Sequence, residues 1–338
     1  MQLVCYPYTL QLKNVFTLAN SSRTVTPVIL TEIHHGDFTG YGEASLPPYL
    51  GETQESVMKF LQRIDLSGFS STTLIGEIMR YVDGIDVGNT AAKASVDIAI
   101  HDLAGKIKGK PCYELWGLNP EEAPATSFTI GIDSPEAVRK KAEEASAYSM
   151  IKVKLGKETD KMMIETIRSV TDKPICVDVN QGWTDKYFAL DMLHWCKSQN
   201  VVFVEQPMPA EQCHDMAWLT AHSPIPTIAD ESFQRIGDLA AVKDVFSGIN
   251  IKLMKCTGLN EAVKIIDRAK KMNLKIMLGC MTETSCAISA ASQIASSADY
   301  IDLDGNLLIT NDCFKGAKVQ SGKVIPAALP GIGVIKCC

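Results

Sequence analysis

No Cys-x-x-Cys pair occurs in the 338 residues, although the chain holds 11 cysteines. Their odd number and scatter argue against a zinc cluster, a redox dithiol or a disulfide framework. The expected state is that of small buried residues in a reducing cytosol. No run of about 18 residues is both apolar and uncharged, which excludes a membrane-spanning helix. The opening MQLVCYPYTLQLKNVF lacks the basic region, apolar block and small-residue cleavage site of a secretion signal. Positive charge is not in excess either: 33 Lys and Arg stand against 39 Asp and Glu, a net charge of −6. Such a chain has no electrostatic footprint for nucleic acid or an anionic membrane surface. Gly40-Tyr41-Gly42 lacks the third glycine and the following helix of a dinucleotide fingerprint, so no such cofactor is expected. These absences leave a soluble, cytoplasmic protein whose partner is a small molecule.

What is present is ordinary globular composition, 46% hydrophobic and 21% charged, with length for a large core. Two rhythms divide the chain. In the first part, VTPVILTEIHHG and FTGYGEAS read as two β-runs joined by a polar turn around His35-Gly36-Asp37, with His34 and His35 solvated in it. Helical patterns follow over Glu55–Ile64, Leu74–Val82 and Thr90–Lys108, the last ending at Gly109-Lys110-Pro111. These elements predict an α+β first domain over residues 1–118. From residue 119 to 306 a unit repeats: SFTIGI, SMIKVKLG, PICVDVN, VVFVEQP, IPTIADE, GINIKLMK, LKIMLGC and ADYIDLDG are β-rich, and helical patterns separate them. Among those patterns is one over Ile236–Val245. Strand–helix alternation of this kind predicts an α/β fold with a parallel sheet, and eight successive units favour closure into a TIM-like barrel over an open sheet. Residues 307–338 lie beyond the eighth strand and are expected to return to the first domain.

In a βα barrel the chemistry sits where the strands run out. Strand two ends Lys152-Val153-Lys154, strand three Asp178-Val179-Asn180, strand four Glu205, and strand five Asp230-Glu231. Strand six carries Lys252, and strand eight ends Asp302-Leu303-Asp304. Alternation puts Lys152 with Lys154, Asp178 with Asn180, and Asp302 with Asp304 on shared faces. Singly, each has a plain structural explanation: a solvated strand face, or a carboxylate capping the next helix. Jointly, three carboxylates from three adjacent strands converge between lysines. An all-oxygen donor set suits a hard divalent cation such as Mg²⁺, and no Cys or His ends strands three to five to favour zinc or copper. Strands two and six face each other across a barrel, so Lys154 and Lys252 approach a central ligand from opposite sides. That arrangement suits removal of a proton α to a carboxylate and its return on the other face. The base must be a neutral lysine, and Lys152, a second ammonium two residues away, is expected to depress the pKa of Lys154.

The runs IKVKLG, DVNQGW, VEQP, ADES and NIKLMKCTG, in this order and spacing, resemble the muconate-lactonizing subgroup of the enolase superfamily. The likeness extends to GYGEAS and VDIAIHDLAGKIKGKPCYELWG in the first part. It implies a modified (β/α)7β barrel under an α+β capping domain, with Mg²⁺ held by Asp178, Glu205 and Asp230. Lys154 and Lys252 would be the acid–base pair, with Lys255 the other candidate at strand six. Within the subgroup, the DLDG ending is similar to that of dipeptide epimerases. There Asp302 and Asp304 would receive a substrate ammonium, and Arg23, in the NSSRTVT loop, a glutamate side chain. Thr129 would line the same pocket, and the loop Leu46–Thr53 would cover it. The implied reaction inverts the second residue of L-Ala-D/L-Glu by a two-lysine proton transfer through an enediolate, in murein peptide recycling. Val179 stands where alanine is common and Thr257 where a glycine pair is usual. Neither removes a functional group, but they bear on loop packing and specificity.

Alternatives remain at this level. A lyase such as o-succinylbenzoate synthase, or a cycloisomerase, would use the same metal and lysines on a substrate without an ammonium, and a dipeptide epimerase could prefer a different second residue. A catalytically silent barrel that binds peptides is the third reading. The histidines, including His101, His194, His214 and His222 in or beside helices, are assigned structural roles. Barrels with capping domains often associate, so a homo-oligomer is compatible with the chain.

Overall fold

A computed structural model describes residues 1–17 and 22–337; Asn20 and Ser21 of the NSSRTVT segment and Cys338 lie outside the described residues. The chain begins with an antiparallel sheet of β1 (Gln2–Thr17), β2 (Ser22–His35) and β3 (Phe38–Ser45), in that order. Strand β1 has no signal in the sequence pattern, because Cys5 and Tyr6, both half-buried, interrupt its alternation. His34 and His35 are not in the turn. They end β2, paired with Thr39 and Phe38, and the turn is Gly36-Asp37, with Gly36 at φ +57°.

Helices α1 (Gln54–Leu61), α2 (Ile75–Gly84), α3 (Thr90–Lys108) and the short α4 (Cys112–Leu115) complete this unit. Gly109, left-handed at φ 65°, stops α3 where the pattern predicts. Helix α3 is buried on nearly every face, and β3 presses directly against it. A Cβ on Gly40 would lie 2.0 Å from the Ala99 carbonyl oxygen, and one on Gly42 would lie 1.9 Å from that of Ser95. The Gly-Tyr-Gly motif is therefore a packing device.

The second unit is a single parallel sheet of β4 (Ser127–Ile130), β5 (Met150–Lys154), β6 (Ile175–Asp178), β7 (Val201–Glu205), β8 (Thr227–Ala229), β9 (Gly248–Ile251), β10 (Lys275–Gly279) and β11 (Tyr300–Asp302), in sequence order. Between the strands run α5 (Pro135–Glu144), α6 (Asp160–Arg168), α7 (Lys186–Ser198), α8 (Cys213–His222), α9 (Leu239–Val242), α10 (Leu259–Lys271) and α11 (Ser285–Ser292). The pattern over Ile236–Val245 yields only a 3-10 turn and the one-turn α9. Asp238 folds back to accept the Gln234 and Arg235 amides, which tightens the helix start. A bridge between Thr126 and Ile301 closes β11 onto β4, and the Leu303 amide donates to Thr126 Oγ1 at 2.9 Å. The result is a nearly closed (β/α)7β barrel: eight strands and seven helices among the described residues, with a 3-10 turn, Gly305–Leu308, where an eighth helix would start.

Inside the barrel, Cys176, Phe203, Ile228 and Met277 form a small apolar cluster of their own. Two residues further along, three of these strands present Asp178, Glu205 and Asp230. The period of two thus turns one inward-facing stripe from an apolar floor into an acidic mouth. The last segment lies on the first unit. Ile309 bridges Leu12, Lys336 pairs with Glu32 at 2.7 Å, and the Ile332 amide donates to Asp102 at 3.0 Å. No helix among the described residues is long and apolar enough to cross a membrane.

Candidate active site

Parallel register places Lys154 beside Asp178 and Asp178 beside Glu205 in one row; Asp230 follows the end of β8. Asp178 and Glu205 are fully buried and Asp230 is 2% exposed, and one ligand atom from each lies within 4.8 Å of the others. Three converging oxygen donors could hold a metal ion, and the set is that of a hard divalent cation. Burial raises the Asp178 carboxyl, but Lys154 and Lys152 outweigh it and hold it down at about 2. Asp230 is driven below the ordinary carboxylate range in the same way, with Lys252 and Lys255 prevailing over burial. Glu205, between them, is pushed up to about 7 by burial and by Asp178, with Lys152 opposing.

The amines are not equivalent. Lys154 Nζ lies 2.6 Å from Asp178, and Lys252 Nζ lies 2.7 Å from Asp230; both line the same cavity of about 390 Å³. Lys255 is fully buried, does not line that cavity, and bonds the Asp230 carboxylate at 2.6 Å and its carbonyl at 2.7 Å. Lys152 sits among Asp302 (2.7 Å), Glu205 (2.7 Å) and Asp178 (3.2 Å). Burial lowers the Lys152 pKa, but these carboxylates raise it well above its ordinary value. The expected like-charge pressure on Lys154 therefore meets an ammonium already neutralised by three partners.

The seam between β11 and β4 is closed largely by side chains. Asp302 accepts from Ser127 Oγ at 2.8 Å, and Asp304 accepts from the Thr129 amide at 2.9 Å. Thr129 lines the cavity, but its contacts brace this aspartate pair. Asp304 makes no cap bond to the turn that follows it. Lys152 holds Asp302 below its ordinary pKa against burial, whereas burial and Asp302 push Asp304 up to about 7. At this end Asp302 pairs with Lys152 at 2.7 Å, whereas Asp304 is held by the Thr129 amide.

Arg23 does not lie in a loop: it is the second residue of β2, paired with Phe16, and Nη2 donates to Thr282 Oγ1 at 3.1 Å. Its guanidinium reaches the cavity, which Pro47, Pro48 and Tyr49 of the Leu46–Thr53 loop also line. Several residues outside the sequence-derived set contribute. Asn250, fully buried, donates to Glu205 Oε1 at 2.6 Å. Gln206 accepts the Asp230 and Ser232 amides, and Asn180 donates to Glu231 at 3.2 Å. Alternation signals Asn250, two residues before Lys252. Cys280, Met281 and Thr282 at the end of β10 carry no charge pattern that would reveal them. Nor are the cysteines uniformly buried: Cys280 faces the cavity, and Cys213 and Cys337 are exposed.

Known proteins are similar to this chain in sequence and fold. Residues 4–117 match the mandelate racemase/muconate lactonizing enzyme N-terminal domain, and residues 136–335 match the enolase C-terminal domain-like family. The chain is 58% identical over 337 residues to the L-Ala-D/L-Glu epimerase of Bacteroides thetaiotaomicron, covering 99% of this chain and 88% of that one. It is 36% identical to the L-Ala-D/L-amino acid epimerase of Pedosphaera parvula, covering 98% and 97%. A dipeptide epimerase from Cytophaga hutchinsonii, solved with Mg and D-Ala-L-Val, superposes with a TM-score of 0.92 at 26% identity, covering 99% of this chain and 95% of that one. The chain therefore belongs to the enolase superfamily, in its mandelate racemase/muconate-lactonizing branch, as an isomerase of the epimerase class.

Proposed function

We propose that this epimerase acts on dipeptides and inverts the second residue of L-Ala-D/L-Glu, in murein peptide recycling. The observation that carries the reading is the pair of amines, Lys154 and Lys252, lining one cavity from strands four places apart in a ring of eight. One amine, neutral, takes the proton from Cα, and the other, as an ammonium, returns one to the opposite face. Asp178, Glu205 and Asp230 fit Mg²⁺ and would hold it. Bound there, Mg²⁺ would supply positive charge at the substrate carboxylate and loosen the hold of Asp178 and Asp230 on the lysine protons.

Asp302 and Asp304 receive the substrate ammonium. Their shortage of positive charge, with Asp304 pushed up to about 7, is what a bound cation relieves. A lyase substrate without an ammonium would leave that charge unmatched. Arg23 pairs with the glutamate side chain, and its 3.1 Å bond to Thr282 fixes the guanidinium at the cavity wall.

Incubation with L-Ala-L-Glu and Mg²⁺ in D2O tests the reading: the Glu Cα–H signal should vanish as L-Ala-D-Glu accumulates. The double variant Asp302→Asn/Asp304→Asn should lose this activity, and Arg23→Met should raise KM for the Glu dipeptide by about 10–100-fold, the loss of a charge-assisted contact. Absence of exchange, or a preference of the unmodified enzyme for hydrophobic second residues, would overturn the assignment.

A further inference from the structure

Lys252 stands at the head of a tight turn that ends at Gly258. The Lys255 and Cys256 amides donate to the Lys252 carbonyl at 2.9 and 3.1 Å, and the Gly258 amide donates to that of Leu253 at 2.9 Å. Helix α10 starts immediately afterwards, and its N-cap residue, Gly258, has no side chain with which to cap it. The cap comes from the other unit. Asp97, fully buried on α3, accepts the Leu259 amide and, at 3.2 Å, the Asn260 amide. Its carboxylate fits against Gly258 so closely that a Cβ there would lie 2.3 Å from Asp97 Oδ2.

The turn so anchored is strained. Thr257 sits at φ +62°, a left-handed conformation that a β-branched residue adopts only at a cost. A segment in that state keeps its shape when its surroundings over-determine it. Here the surroundings are Asp97 at one end and the Lys252 and Lys255 contacts to Asp230 at the other.

We infer that Asp97 is a positioning residue for Lys252: the capping domain, through one buried carboxylate, holds the turn that aims the amine into the cavity. The inference rests on the two-lysine reading above. It separates the two faces of the reaction, because Lys154 lies on a strand and has no such anchor.

The test measures Cα–H exchange in D2O from L-Ala-L-Glu and from L-Ala-D-Glu separately, with Lys252→Ala and Lys154→Ala identifying which epimer each amine serves. Asp97→Asn should slow exchange of the Lys252-dependent epimer by about 10–100-fold, the effect of an ångström-scale misplacement, and change the other by less than about twofold. Gly258→Ala, whose methyl displaces the same carboxylate from the barrel side, should give the same one-sided loss and serves where Asp97→Asn does not fold. Adding Thr257→Gly to Asp97→Asn should restore part of the lost exchange, since glycine takes the left-handed conformation without strain. Equal slowing of both epimers, or no slowing, overturns the inference and leaves the functional reading intact. Failure of the unmodified enzyme to exchange either epimer overturns the reading, and the inference with it.

Discussion

Two lysine pairs flank the carboxylate triad, and they are built differently. Lys152 and Lys154 are alternate residues of β5, so the strand itself sends both amines inward, where both approach Asp178. Lys252 and Lys255 follow the end of β9, three residues apart in a turn, and reach the two carboxylate oxygens of Asp230. In the strand pair the second amine becomes the hub of three carboxylates. In the turn pair it is sealed beneath one carboxylate and its carbonyl. Lys152, Lys154 and Lys252 line the cavity, whereas Lys255 is sealed from it. The two outer carboxylates are held ionised by two amines apiece, and the central Glu205 is left near 7.

The largest effects should come from the open amines. Lys154→Ala and Lys252→Ala should each lower epimerisation by about 10²–10⁴-fold, the usual contribution of a general acid or base. Each should retain Cα–H exchange with one epimer only, and not the same one. If both variants lost the same epimer, the symmetry between the pairs would be broken.

Lys152 and Lys255 should appear in stability. Removing one partner of a buried ion pair costs about 3–5 kcal/mol. Lys152→Met and Lys255→Met should both destabilise on that scale in chelator-treated protein followed by urea unfolding. Lys152→Met should cost more, because it strands Glu205 and Asp302, with Asp178 keeping Lys154, and Lys255→Met leaves Asp230 with Lys252. The reverse order would mean that the hub is the lesser support.

The smallest effect concerns the carboxylate between the pairs. With Glu205 near 7 in the metal-free site, binding of Mg²⁺ at lower pH must displace its proton. Affinity should therefore be full above about pH 7 and fall by up to about tenfold per pH unit below it. Calorimetric titration in buffers of different ionisation enthalpy should show up to one proton released at pH 6 and little at pH 8. Equal release at both would place the displaced proton elsewhere.

Much of the candidate site is legible from residues alone because it lies on strands. A period of two fixes which side chains face the barrel axis, so Lys154, Asp178 and Glu205, neighbours in register, can be read from IKVK, ICVD and VVFVE. Legibility fails where placement depends on a partner distant in the chain. Strand β1 escapes notice because Cys5-Tyr6 interrupts its alternation and β2 supplies its pairing. Arg23 reads as a loop residue because its strand is defined by the same pairing. Cys280, Met281 and Thr282 are apolar or neutral and reveal nothing until the barrel closes around them.

Thr257 shows the limit most clearly. As a departure from a usual glycine pair it is visible in the sequence, but its φ of +62° and the Asp97 carboxylate that anchors its turn are not. The alternation of strands and helices and the inward stripe of acids and amines are written in the local sequence, because each follows from periodicities spanning a few residues, and the family follows from motifs that resemble its own. Tertiary structure alone decided which of the four amines is sealed from the cavity, which carboxylate lacks a counter-charge, and what fixes the Lys252 turn. Those outcomes depend on burial and on contacts such as that of Asp97 with Asn260, 163 residues apart, which no local pattern encodes.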